Sequence, residues 1–103
     1  MGVLLTLNET KHYLRVDNDE DDALISSLII TSRILTEEII RCNLDEFEML
    51  PDLIKQAMLI IIGTLYEERQ VEKNDKEGLA LDATLDLVKK MLFMYRKEKF
   101  WWE

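Results

Sequence analysis

The sequence predicts an all-α fold, a small bundle of about four helices that forms a single domain over residues 1–103. Three Gly and one Pro are too few for the many turns of an all-β protein. Apolar residues recur at helical spacing in four segments, separated by polar or Pro-containing stretches. The length of 103 residues is that of one domain, and the apolar share of 48% is that of a globular protein.

The charge of the chain excludes several classes of function. Thirteen Lys and Arg residues against 21 Asp and Glu residues give a net charge of −8. Binding to nucleic acid or to an anionic membrane requires a basic surface, so neither is expected. The longest apolar run, residues 57–62, is too short to cross a bilayer. A signal peptide is not expected either, because the first residues lack the basic leader that such a peptide has. The single Cys42 cannot form an internal disulfide.

The first two helices are predicted from their caps and apolar spacing. Thr6 and Glu9 have the spacing of a capping box, which predicts a helix from Thr6 to about Arg15. In the acidic run 17–22, Asp17 or Asp19 can cap a long second helix that reaches about Cys42. The predicted buried stripe of this helix consists of Leu24, Leu28, Leu35 and Ile39, widened by Ile25, Ile29 and Ile40. Five small polar residues lie off this stripe, where another helix or subunit could approach closely: Ser26, Ser27, Thr31, Ser32 and Thr36.

The third helix is predicted to run from Pro51, which fits the first helical position, to Gln70. Residues 57–62 are apolar on every side, which is typical of a helix at the centre of a core or an interface. Gly63 costs about 1 kcal/mol relative to Ala in a helix, so a close helix crossing is expected there. The candidate core or subunit-interface residues are Ile60, Ile61, Ile62 and Tyr66.

The fourth helix is predicted from about Leu81 to Lys97 and is followed by a tail, residues 98–103. Its apolar stripe comprises Leu81, Leu85, Val88, Leu92 and Tyr95, with Leu87, Met91 and Met94 beside it. The tail contains the aromatic residues Phe100, Trp101 and Trp102. Large aromatic side chains commonly anchor interfaces, so this tail either folds back onto the bundle or docks into a partner or a neighbouring subunit.

The sequence supports no catalytic, cofactor or metal site. Asp17, Asp19 and Asp21 have the spacing of a calcium-binding loop, but Asp22 stands where that loop needs Gly and Leu28 where it needs Glu. A solvated acidic first helical turn is therefore the better interpretation.

A nucleophilic site has equally little support. His12 and Cys42 could form a catalytic pair only if the fold brought them together, and no glycine-rich phosphate loop is present. We therefore predict that the protein is not an enzyme. The apolar third helix and the aromatic tail exceed what a small bundle needs, which indicates an oligomer.

Several segments together resemble the gp6-like DNA-packaging family of tailed-phage head–tail connector, or adaptor, proteins. Residues 5–17, LTLNETKHYLRVD, resemble the family's opening, which reads Leu-Thr-Leu-Glu-Glu and then Tyr-Leu-Arg-Ile-Asp. Further resemblances lie in residues 19–25, 50–57, 65–69 and 91–96. The chain departs from the family at residues 44–49, at the shortened segment 74–81, and in lacking the final proline.

This resemblance implies a structural virion protein of a phage or prophage. Family members form a ring, of about twelve subunits, that docks beneath the portal protein and receives a downstream connector or stopper protein. Such a ring extends the DNA channel and completes the packaged head, and DNA passes through it without sequence-specific binding. The resemblance places the protein in the virion, and in the host bacterial cytoplasm during assembly, with Phe100–Trp102 as a contact to the portal.

Two other function classes stay open at the level of the sequence. One is a small acidic helical module that binds another protein in a regulatory role. The other is an enzyme, which would require an activity that depends on His12 or Cys42.

Overall fold

The computed structural model describes residues 5–70 and 79–95, and these ranges contain helices and no β-strand. The helices are α1 (Leu7–Leu14), α2 (Asp22–Ile40), α3 (Asp52–Gln70) and α4 (Leu79–Met91). Short 3-10 turns follow α2 and α4 at Leu44–Glu46 and Phe93–Tyr95. The all-α prediction with about four helices is confirmed.

Helix α1 begins with the capping box that the sequence predicts. The Thr6 hydroxyl accepts a hydrogen bond from the Glu9 amide at 3.1 Å, and the Glu9 carboxylate accepts one from the Thr6 amide at 3.0 Å. These two bonds satisfy amide groups that the helix itself leaves unpaired. The helix ends where Arg15 adopts a left-handed backbone conformation, with φ of 62°.

Helix α2 begins later than predicted, because neither Asp17 nor Asp19 caps it. The N-cap is Asp21, whose side chain makes no capping hydrogen bond. The nearby carboxylates bind tertiary partners instead, as Tyr66 donates to Asp21 and Lys11 pairs with Asp19. Contacts with the rest of the molecule therefore decide where the helix starts.

The buried face of α2 also differs from the predicted stripe. Ser32 and Thr36, expected to lie off that stripe, are fully buried, whereas Leu24 and Leu35 are only half-buried. The buried residues are Ile25, Leu28, Ser32, Thr36 and Ile40, which share one helical face. The Ser32 hydroxyl can be buried because it donates to the carbonyl of Ile29 at 2.9 Å.

Helix α3 lies in the middle of a layer, with α2 on one side and α4 on the other. Near its carboxyl end, the Tyr66 hydroxyl reaches Asp21, which immediately precedes α2, and the Thr64 hydroxyl bonds that of Thr84 in α4 at 2.8 Å. Both neighbours therefore run antiparallel to α3 and parallel to each other. The molecule is flat, measuring 46 × 34 × 17 Å, and α1 packs across α2 and α3.

The core is built around α3, as the apolar run 57–62 predicts. Ile54, Ala57, Met58, Ile61 and Ile62 are fully buried. They pack with buried residues of α2, the end of α4 and the segments that flank α1 and α2, namely Leu5, Leu28, Ile40, Leu44, Leu50, Val88 and Leu92. A Cβ atom at Gly63 would lie at an ordinary van der Waals distance, 3.4 Å, from the Tyr13 ring of α1, so the close helix crossing expected there stays a prediction.

Helix α4 ends at Met91 rather than near Lys97, and residues 96–103 lie outside the described ranges. Val88 and Leu92 are buried as predicted. Tyr95 packs edge-on against the ring of Phe47, with ring centroids 6.0 Å apart. The connection between α2 and α3 thus covers the end of α4.

Candidate assembly interface

The candidate residues of α3 lie at two different depths. Ile61 and Ile62 are fully buried within the chain itself, whereas Ile60 and Tyr66 are half-buried against the core. A role of these four residues in contacts between subunits stays a prediction. The aromatic tail residues, Phe100, Trp101 and Trp102, lie outside the described residues, so their docking role also stays a prediction.

Tyr66 joins α3 to the beginning of α2 through one strong hydrogen bond. Its hydroxyl donates to a carboxylate oxygen of Asp21 at 2.7 Å. The hydrogen bond to this carboxylate raises the pKa of Tyr66, because it stabilises the protonated phenol. The bond fixes the relative height of α2 and α3.

Two lysines connect α1 to its neighbours. Lys11 Nζ lies 2.8 Å from a carboxylate oxygen of Asp22 and 3.1 Å from one of Asp19, and these bonds raise the pKa of Lys11. Lys55 of α3 lies 3.1 Å from the Glu9 carboxylate. The pKa of Glu9 is lowered, first by the hydrogen bond from the Thr6 amide and further by Lys55. Helix α1 is therefore joined to α2 and to α3 by separate ion pairs.

The outer edge of α2, on the side away from α3, carries exposed apolar and small side chains. Ile30 is 61% exposed and Ile34 56% exposed. Together with the exposed residues Ala23 and Ser27 they form a continuous strip, which we name the α2 strip. These positions follow the spacing i, i+4, i+7 and i+11, so they line one face of the helix.

The outer edge of α4 carries a strip with the same spacing. It consists of Ala83, Leu87 and Lys90 of α4 and of Met94 in the 3-10 turn that follows, all exposed, and we name it the α4 strip. Leu87 is 49% exposed and Met94 74% exposed, although the sequence places both beside the buried stripe. The described residues thus leave apolar side chains uncovered at both edges of the layer.

An acidic concavity adjoins the α2 strip at its carboxyl end. It has a volume of about 750 Å³ and is lined by Ile34, Glu37, Glu38, Arg41, Cys42, Asn43 and Glu46. The Glu37 carboxylate accepts hydrogen bonds from Arg33 at 3.2 Å and from the Leu44 amide at 2.8 Å. These bonds hold the connection after α2 against the helix.

The metal site and the nucleophilic pair considered from the sequence can be compared with the described residues. Within residues 5–70 and 79–95, no group of three or more His, Cys, Asp or Glu side chains could hold a metal ion. His12 is exposed on α1 and Cys42 is half-buried after α2, and the two line different concavities. None of the helices in the described part of the chain is long and apolar enough to span a membrane.

The comparison with protein families decides the assignment. The model of the phage gp6-like head–tail connector protein family matches residues 4–96. The chain belongs to this family. No curated protein and no solved structure matches it significantly.

Family membership gives the surfaces described above a context. Connector proteins are structural components of the phage virion, which favours this role over a regulatory module and over an enzyme. A connector assembles with other head and tail proteins, so uncovered apolar strips at both edges of the layer are the features of interest. The match extends through α1 to α4 and ends at residue 96, before the aromatic tail.

Proposed function

We propose that this protein is the subunit of a ring that docks beneath the portal, extends the DNA channel and completes the packaged head. The observation that carries the proposal is the family match over residues 4–96. Assembly occurs in the bacterial cytoplasm, on heads already filled with DNA. The ring then receives a downstream connector or stopper protein, and its action is mechanical and not catalytic.

The shape of the subunit supports a ring. A ring requires two different contact surfaces on each subunit, since each copy touches one neighbour on its left and another on its right. The α2 and α4 strips provide exposed apolar surface at the two opposite edges of the layer. A ring of about twelve copies would cover both strips of every copy.

The charge of the subunit supports a channel through which DNA passes. The net charge of −8 repels the phosphate backbone, so the wall of such a channel does not retain the DNA. Passage without sequence-specific binding follows from this repulsion.

Docking on the portal is assigned to the aromatic tail. Phe100, Trp101 and Trp102 supply large apolar side chains close to the chain end, flanked by Lys99 and Glu103. Aromatic side chains with polar neighbours are typical anchors of protein interfaces.

Deletion of residues 100–103 tests this role in cells that assemble the phage. We expect the truncated protein to keep its helical circular dichroism, because it retains the fully buried core residues of α2, α3 and α4. Heads assembled with it should lose their DNA and fail to join tails. A variant with Trp101→Phe and Trp102→Phe keeps the aromatic surface and serves as the matched control.

Two outcomes would contradict the proposal at different levels. Full production of infectious particles by the truncated protein would refute the docking role of the tail. Normal DNA-filled, tailed particles in the complete absence of the protein would refute the connector function itself.

A further inference from the structure

We propose that the α4 strip of one copy packs against the α2 strip of the next copy, in a head-to-tail contact that repeats around the ring. This inference rests on the proposed ring. It assigns the two contact surfaces, neither of which uses the buried centre of α3.

The two strips stand at matching heights in the layer. Asp21 and Thr84 contact Tyr66 and Thr64, which lie only two residues apart on α3, so Asp21 and Thr84 stand nearly level. When the rise per residue is counted along each helix from Asp21 and Thr84, the two strips cover the same range of heights to within about one helical turn. The two helices also run in the same direction, so a neighbour placed beside the molecule by a simple rotation presents its strip in register.

The side chains of the two strips are complementary in size. To within that one turn, the small Ser27 faces Leu87, which lets the two helices approach closely. Ile30 likewise faces Lys90, whose aliphatic stem covers apolar surface while its ammonium group stays in water. Met94, a flexible side chain in the 3-10 turn after α4, lies at the same end of the layer as Ile34 and adapts to its neighbour.

The charges near the ends of the two helices are also complementary. Residues 37–46, at the end of α2 and in the following connection, contain four acidic residues and one basic residue. Residues 89–95, at the end of α4 and in the turn after it, contain the exposed Lys89 and Lys90 and no acidic residue. Because α2 and α4 end on the same side of the layer, the contact brings the basic end of one copy to the acidic end of the next.

A second copy in the same register is therefore the occupant that fits both edges. An isologous contact would place α2 against α2, or α4 against α4, and would use one strip twice while leaving the other strip uncovered. The head-to-tail contact joins the α4 strip to the α2 strip and leaves one free strip on each side for the next copy.

Disulfide cross-linking tests the contact inside assembled heads. Cells produce two variants together, one with Ser27→Cys and the other with Leu87→Cys, and filled heads are isolated and oxidised. We expect the cross-linked dimer to form at least about tenfold more than with the control pair Met49→Cys and Leu87→Cys, because a disulfide requires Cα atoms within about 7 Å. Met49 is the matched control since it is 76% exposed and lies in the connection between α2 and α3, which belongs to neither strip.

A second pair, Ile34→Cys with Met94→Cys, tests the register independently. Dimers formed by either Ser27→Cys or Leu87→Cys alone, in place of the mixed pair, would indicate an isologous contact and overturn the inference. Heads that contain the protein without enriched cross-linking of either pair would overturn the inference and leave the connector function standing. Absence of the protein from filled heads would overturn both.

Discussion

Helices α2 and α3 have the same length, 19 residues, and both are rich in Ile and Leu, yet these side chains are buried to different extents in the two helices. In α3, Ile61 and Ile62 are fully buried, whereas in α2 Ile30 and Ile34 are more than half exposed. The cause is position, because α3 has neighbours on both sides of the layer and α2 has them on one side only. The comparison shows that the apolar content of a helix does not tell whether its side chains stabilise the fold or remain available for assembly.

Truncation of one isoleucine in each helix gives the largest expected contrast. Ile61→Ala should lower the free energy of unfolding by about 2–5 kcal/mol, because it leaves a cavity in the core. Ile34→Ala, at an exposed position, should change it by no more than about 0.5 kcal/mol. Urea denaturation followed by circular dichroism measures both values. Equal losses in the two variants would show that the edge of α2 is part of the core.

A smaller change in the free energy of unfolding is expected from a substitution on the inner face of α2. The Thr36 hydroxyl is fully buried and has no hydrogen-bond partner among the described residues. Thr36→Val removes this unpaired group at nearly constant shape, so stability should rise by about 1 kcal/mol. Ser32→Ala is the control, since the Ser32 hydroxyl is bonded to Ile29 and its removal should bring no gain. A loss of stability in Thr36→Val, seen in the same urea experiment, would contradict the prediction.

The smallest effect is expected from the ion pairs that join α1 to the two helices. The pKa of Glu9 is lowered from 4.5, so its contribution to stability is present above pH 4.5 and is lost as the pH falls through the lowered value. The pKa of Lys11 is raised from 10.5, so its contribution is present below pH 10.5 and is lost as the pH rises through the raised value. Acid therefore weakens the attachment of α1 to α3, and base weakens its attachment to α2.

Two single variants separate these contributions. Glu9→Gln should flatten the acid side of the curve of stability against pH and leave the alkaline side unchanged. Lys11→Met should do the reverse. An unchanged acid slope in Glu9→Gln would show that other carboxylates carry the whole acid response.

Local chemistry explains what the sequence could predict of the fold. Thr6 and Glu9 satisfy each other's backbone groups within one turn, so their box is visible in the sequence. Because residues 57–62 are apolar on every side of α3, the sequence predicted that this helix lies in a core or an interface. The start of α2 was hidden, because several neighbouring carboxylates could cap it and the choice depends on Lys11 and Tyr66, which are distant in sequence.

The candidate interface was harder to predict than the fold. Apolar residues occur almost all around α2, so the sequence does not separate the buried Ile25 from the exposed Ile30. The ends of α1 and α2 could not be predicted from a glycine either. Arg15 and Arg41 occupy the left-handed positions at which helices usually have glycine. The family of the protein was visible, because the resemblance follows an ordered set of short segments along the chain.

The thin, three-helix layer has a mechanical consequence. In the described residues α2 and α4 share no extended contact, so a displacement imposed on one edge reaches the other by way of α3 or of the connection before it, where Phe47 packs against Tyr95. The tightly filled centre of α3 leaves little room to absorb such a displacement. A push on one flank of the subunit is therefore passed to the opposite flank chiefly through the packed centre of α3.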